Sequence, residues 1–195
     1  MITARDVAAA RGAVGEIARR TPVLTSRTFS ERAGGEVRLK AENLQSTGSF
    51  KIRGAAAKLA ALGDGCAQGV VCASAGNHGQ GVAAAAAARG VPCEVFVPFD
   101  APIAKSEAIT GWGATVHRGG GALADCVHDA REHAEAAGMA FIHPYDDADV
   151  IAGQGSVGCE LLEDVPRLSK VVVAVGGGGL AAGIALAVKD ARPDV

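Results

Sequence analysis

Lys51 stands between Phe50 and Ile52 in ENLQSTGSFKIRGA (42–55), just where an alanine-rich run predicts the start of a helix. A lysine held against apolar neighbours and a helix N-terminus is pushed toward its neutral form, which is the nucleophilic one. By spacing alone a lysine on a first turn is more often a solvated side chain. A second segment, KVVVAVGGGGLAAG, reads as strand, four glycines (Gly176, Gly177, Gly178, Gly179) and helix. Glycines bring backbone N–H groups close to a ligand, and the helix N-terminus adds a positive dipole end, so the loop suits a phosphate. The bland alternative is a tight strand–helix connection, but four glycines exceed what a turn requires. No lysine occurs in the loop and no GK[ST] follows, which argues against a nucleoside-triphosphate P-loop. The third segment runs from Ala73 through Ser74, Ala75, Gly76, Asn77, His78 and Gly79 to Gln80, between an apolar run and an alanine helix. Ser74 or Asn77 is expected to cap that helix, whose exposed N–H groups could then hold a carboxylate. Taken singly, either is more simply a plain cap, and His78 a hydrogen-bonded structural histidine.

Two weaker groups remain. DCVHDAREH (125–133) gathers Asp125, Cys126, His128, Asp129 and His133, but His128 and His133 are five apart, a poor helical chelate. That stretch reads as a solvated helix face, and no metal ligand set is expected. His143, Tyr145, Asp146 and Asp147 read as a polar loop.

The elements that must position these residues follow from hydrophobic patterning. Thr3 is a plausible cap for a first helix with apolar Val7, Val14 and Ile17, and 36–41 (EVRLKA) alternates like a half-buried strand. From residue 69 the apolar runs GVVCAS, VPCEVFV, ATVHR, MAFIH and KVVVAV alternate with helical stretches across short connections. That alternation predicts an α/β fold with parallel, doubly wound sheets. The sequence closes on RPDV, where an alternating fold would begin another strand, so a fragment with an incomplete C-terminal part is expected.

Composition bounds the function class. A chain of 195 residues suits one or two domains and buries roughly 70% of its unfolded surface. Lys plus Arg total 19 against 21 for Asp plus Glu, a formal charge of −2. That balance argues against nucleic-acid binding and against a polybasic membrane anchor. Glycine, at 27 residues, is about twice its usual share. The cysteines (Cys66, Cys72, Cys93, Cys126, Cys159) are odd in number and contain no CxxC, so neither a disulfide framework nor a zinc site is expected. With no signal-peptide pattern at the start, a cytoplasmic location is the default expectation. The 18 uncharged residues 171–188 just reach the length of a spanning helix. Four central glycines, each costing about 1 kcal/mol of helix propensity, favour a strand, turn and helix instead.

STGSFKIRGA, SAGNHGQGVA, HPYDDADVIAGQGSVGCEL and VGGGGL, in that order, resemble the threonine/serine dehydratase and serine racemase branch of the fold-type II pyridoxal-phosphate enzymes. The resemblance extends over nearly the whole chain. It implies that Lys51 forms a Schiff base with pyridoxal 5′-phosphate and later serves as general base. It also implies that Asn77 bonds the cofactor's 3-hydroxyl oxygen, that Phe50 packs beside the ring, and that Gly176, Gly177, Gly178, Gly179 and Leu180 cradle the phosphate. Ser74, Asn77 and His78 would grip the carboxylate of a small amino-acid substrate. A small domain at 69–145 would close on a large one formed by 1–68 plus 146–195, and the full-length protein would be a homo-oligomer. The implied activity is β-elimination, giving 2-oxobutanoate from L-threonine or pyruvate from L-serine, with ammonia.

Departures from the family pattern bear on that activity. The residue that meets the pyridine nitrogen and the divalent-cation site of racemase-like members would both lie past Val195. Racemases carry a serine where this chain has Ala75, and an arginine on the helix over 122–130, where none occurs before Arg131. Both departures favour a dehydratase over a serine racemase or a hydroxyaspartate dehydratase-like relative. Two remoter readings are a dinucleotide-dependent enzyme and a noncatalytic folded fragment. The first rests on Gly176-x-Gly178-x-x-Ala181, whose ribose-binding acid is due roughly 20 residues on, near Asp194. It gives no role to Lys51 or to SAGNHG.

Overall fold

The computed structural model describes residues 1–195. The chain opens with α1 (Ala4–Ile17), β1 (Val23–Thr25), α2 (Arg27–Ala33), β2 (Arg38–Lys40) and α3 (Lys51–Leu62). Thr3 caps α1 as expected, its backbone N–H and hydroxyl both donating to the Asp6 carboxylate at 2.7 and 2.8 Å. β1 and β2 form an isolated antiparallel pair, with Leu24 opposite Leu39.

The alternation expected from residue 69 is present. It runs β3 (Val70–Ala73), α4 (Asn77–Arg89), β4 (Cys93–Val97), α5 (Ile103–Thr110), β5 (Thr115–Arg118), α6 (Leu123–Ala137) and β6 (Ala140–Phe141). The four strands make one parallel sheet in the order β5-β4-β3-β6. Side chains alternate across β3. Val70 and Cys72 join Val82, Ala83 and Ile109 in the core under α4 and α5. Val71 and Ala73 pack against Cys126, Ala130 and Ala134 of α6 on the other face. Helices on both faces make the sheet doubly wound, as the pattern required.

The chain continues through α7 (Ala148–Asp164) and α8 (Gly179–Ala191). Asp147, which the sequence placed in a polar loop, caps α7 by accepting from the backbone N–H groups of Asp149 and Val150. α7 therefore starts at Ala148, directly after this cap. It is buried along most of its length against α1, α3 and α8. Contact this close requires small residues: a Cβ at Gly153 would collide with the Arg53 carbonyl of α3, and one at Gly183 of α8 with the Ile151 carbonyl.

One expectation fails. KVVVAV is not a strand, and residues 169–177 make no backbone-to-backbone hydrogen bond. A strand needs a ladder partner. Here β1 and β2 pair only with each other, and the parallel sheet ends at β6. Val172 is consequently 98% exposed and Val175 70%.

Candidate active site

Lys51 is the first residue of α3, and its position is fixed from three directions. Two residues on, the fully buried Arg53 donates to Glu160 of α7 at 2.7 and 2.9 Å and to Glu42 at 2.7 and 2.8 Å. Burial alone would raise the Glu42 carboxyl. The Arg53 guanidinium outweighs it and holds Glu42 below the usual carboxylate range. This pairing locks the start of α3 to α7. On a second side, α4 presses on the Lys51 peptide: a Cβ at Gly81 would lie 2.9 Å from the Lys51 carbonyl carbon. On the third, Lys51 Nζ donates to the Pro144 carbonyl at 2.6 Å.

The environment of Lys51 differs from that of its nearest alternatives. Lys40 is paired with Glu160 and Asp164, and Lys58 with Asp147 and Asp149. Lys51 is half-buried beside the Phe50 ring and has no carboxylate partner. Burial lowers its pKa, whereas Lys58, though burial opposes it, is raised by its two aspartates. Lys51 is thus shifted toward its nucleophilic state, and Lys58 away from it.

Lys51 and Phe50 line a cavity of about 210 Å³, together with Tyr145, Gln154, the glycines 176–179 and Leu180. Gly178 caps α8 at φ +89°, a conformation that disfavours other residues. A Cβ at Gly177 would run into the Tyr145 ring, and one at Gly179 would lie 2.9 Å from the Tyr145 carbonyl oxygen. Close packing therefore accounts for two of the four glycines, and the left-handed backbone for a third. A Cβ at Gly176 would meet nothing. The backbone N–H groups from Gly176 to Ala181 have no acceptor in the protein. Unpaired donors at a helix start, facing a lysine across a cavity, fit a phosphorylated aldehyde. Gln154 Oε1, buried and without a hydrogen-bond partner, borders the same cavity. A larger depression of about 380 Å³ beside Arg20 and Asp164 is shallow, and those two side chains already pair with each other.

The turn before α4 corrects the expected capping. Gly76, not Ser74 or Asn77, is the N-cap, and the Ser74 hydroxyl accepts from the Gly76 N–H at 3.1 Å. The N–H groups of Asn77, His78 and Gly79 are left without protein acceptors. They lie at the carboxyl end of β3, the edge where parallel sheets bind ligands. Asn77 is exposed, and Ser74 and Ala75 are half-buried. The His78 side chain is buried, with Nε2 3.0 Å from the Ile142 carbonyl. Burial pushes its pKa down to about 4. Its imidazole ties α4 to the end of β6, so at the turn His78 offers its backbone N–H and not a cationic ring.

Sequence reasoning gave no site role to Pro144, Tyr145, Gln154 or Arg53. All four lay within quoted segments, Arg53 in STGSFKIRGA and the others in HPYDDADVIAGQGSVGCEL, so the signal was present without a role attached. Nothing in the local pattern around Arg53 distinguishes it from a surface arginine.

The family model for "Pyridoxal-phosphate dependent enzyme" matches residues 14–195. An L-threonine ammonia-lyase of Thermotoga maritima is 45% identical across the whole chain, which covers 49% of that protein. Among solved structures, maize serine racemase superposes with a TM-score of 0.96 at 34% identity, covering 100% of this chain and 59% of that one. Threonine deaminase isoform 2 from Solanum lycopersicum gives 0.93 at 34% identity, covering 98% and 55%. The chain spans about half the length of the relatives it matches. The family model takes in all but the first 13 residues, and the chain belongs to the pyridoxal-phosphate dependent enzyme family.

Proposed function

We propose that the protein is an ammonia-lyase acting on L-threonine, L-serine or both, with pyridoxal 5′-phosphate held at Lys51. The observation that carries this reading is a lysine of lowered pKa, free of ion pairs, sharing one cavity with the unpaired N–H groups of a glycine loop. When bound, the cofactor supplies an electron sink for carbanion chemistry.

The chain's own residues supply the rest. Lys51 Nζ, which donates to the Pro144 carbonyl, would hold the cofactor covalently, and as a neutral amine it would take the α-proton. The N–H groups of Gly176 to Leu180 and the dipole of α8 bind the phosphate dianion. Phe50 packs beside the ring, and the Asn77 amide meets the 3-hydroxyl oxygen. Ser74, with the N–H groups of Asn77, His78 and Gly79, receives the substrate carboxylate. Residues 69–145 form the smaller unit that closes over 1–68 and 146–195 to exclude water. Five free thiols, four of them buried, accord with a reducing cytoplasm. No helix is long and apolar enough to cross a membrane.

A second reading, serine racemase, is favoured by the 0.96 superposition. Against it, the Ala75 methyl can neither give nor take a proton on the face opposite Lys51. Arg131 is occupied elsewhere, its guanidinium stacked 4.5 Å over the Phe141 ring. Supplying the full-length protein with cofactor and L-threonine or L-serine tests the choice. The expected products are 2-oxo acid and ammonia, with little D-serine on chiral chromatography. Rapid D-serine formation without 2-oxo acid would overturn the ammonia-lyase reading.

A further inference from the structure

The sheet face under α6 holds a second group of chemically competent side chains. Glu94 lies on β4, His117 on β5 and His133 near the end of α6. Glu94 is in register with Val71, and His117 with Phe96 one pleat further along, so the group lies on the face of the sheet under α6. The Ser74–Asn77 turn lies beyond the carboxyl end of β3. The proposed ammonia-lyase chemistry makes no use of this group.

Its geometry is convergent. His117 Nε2 contacts Glu94 Oε2, and His133 Nε2 lies 3.1 Å from the same oxygen. The three ligand atoms all fall within 4.8 Å of one another. His133 Nε2 is shielded from solvent but, despite this proximity, makes no hydrogen bond. Phe96 stacks on the His117 ring at 4.6 Å and lies 5.4 Å from that of His133, so both rings are held in place. All three side chains are partly exposed, which leaves an entry path for an ion.

Two imidazoles and a carboxylate are a ligand set suited to zinc. With bonds of about 2.0–2.2 Å, the ligand atoms of a tetrahedral zinc stand about 3.3–3.5 Å apart. The 3.1 Å between His133 and Glu94 is close to that edge, the closer His117–Glu94 pair would open to admit the ion, and a metal would give the unpaired His133 Nε2 the partner it lacks. His133 was set aside in the sequence because its helical neighbour His128 is badly spaced. Folding instead pairs it with residues 16 and 39 positions earlier on two strands.

We propose that Glu94, His117 and His133 bind one zinc ion, with water in the fourth position, clasping the edge strand β5 and its neighbour β4 to α6. Zinc titration of the purified chain, in competition with a chromophoric chelator, tests this. One equivalent should bind, and the thermal midpoint should rise with free zinc until the site saturates. His117→Ala and His133→Gln should each weaken binding by more than about 100-fold, beyond the loss typical of an outer-shell partner. Two independent variants guard against one of them misfolding. His128→Ala, on the exposed face of the same helix, should bind as the unmodified chain does. Cobalt(II) in place of zinc should give the visible spectrum of a tetrahedral nitrogen–oxygen site. No stoichiometric binding, unchanged affinity in both variants, or a thiolate charge-transfer band from cobalt would each overturn the assignment.

Discussion

The backbone of Gly81 lies against the peptide of Lys51, so that a Cβ at position 81 would sit 2.9 Å from the Lys51 carbonyl carbon and 3.0 Å from the Ile52 nitrogen. Two motifs thirty residues apart in sequence are joined by this contact. Neither neighbour is the free end of a flexible side chain, so α3 or α4 must shift to admit a methyl group. Gly81→Ala should therefore destabilise the protein by about 1–3 kcal/mol, the usual cost of overpacking. It should also reduce cofactor loading at Lys51. Thermal unfolding and cofactor absorbance measure the two effects, and a fully stable, fully loaded variant would contradict the packing argument.

Arg53 provides a sharper contrast of magnitudes. Arg53→Leu leaves Glu160 with Lys40 alone and Glu42 buried without a cation, which costs about 3–5 kcal/mol. Arg20 also makes two ion pairs, with Glu163 and Asp164, but at a half-exposed position. Arg20→Ala should cost no more than about 1 kcal/mol. Urea midpoints of the two variants should differ accordingly. Because the folded Glu42 pKa lies below its unfolded value, its stabilising contribution is complete above about pH 4.5 and fades as pH falls through the folded value.

His78 carries a different acid signature. Its folded pKa of about 4 lies below the ordinary value of about 6.5. The stability it contributes is complete above pH 6.5 and is lost as pH falls toward 4. His78→Gln keeps a donor for the Ile142 carbonyl and removes the titration. Its stability should change less than that of the unmodified protein between pH 6.5 and 4, as followed by thermal unfolding at each pH.

Much of this was legible in the sequence, and the exceptions have physical causes. Apolar runs alternating with helical stretches specified the parallel sheet from Val70 to Phe141, because each strand's partner lies within the same stretch. KVVVAV has the same pattern, yet no chain lies beside it to complete a ladder. Local composition identifies a strand former but not its partner. The Lys51 and glycine-loop motifs were readable because their chemistry is local. The Arg53 network, the Tyr145 contact with Gly177 and the Glu94–His117–His133 group depend on residues brought together only by folding.

The unpaired segment also has a consequence for solution behaviour. Exposed apolar backbone without ladder partners is a template for pairing with other chains. Val172→Lys should reduce self-association of this chain, as measured by light scattering, without altering thermal unfolding. Unchanged association would show that residues 170–175 are not the adhesive segment.

The assignment of Lys51 is tested most directly by reducing the cofactor-loaded protein with borohydride and mapping the labelled peptide. Lys51 is free of ion pairs and lowered by burial, while Lys40 and Lys58 are neutralised by carboxylates. The label should fall on Lys51 alone, and Lys51→Ala should abolish both the label and the visible absorbance of the bound cofactor. A label on Lys40 or Lys58 with Lys51 unmodified would contradict the account.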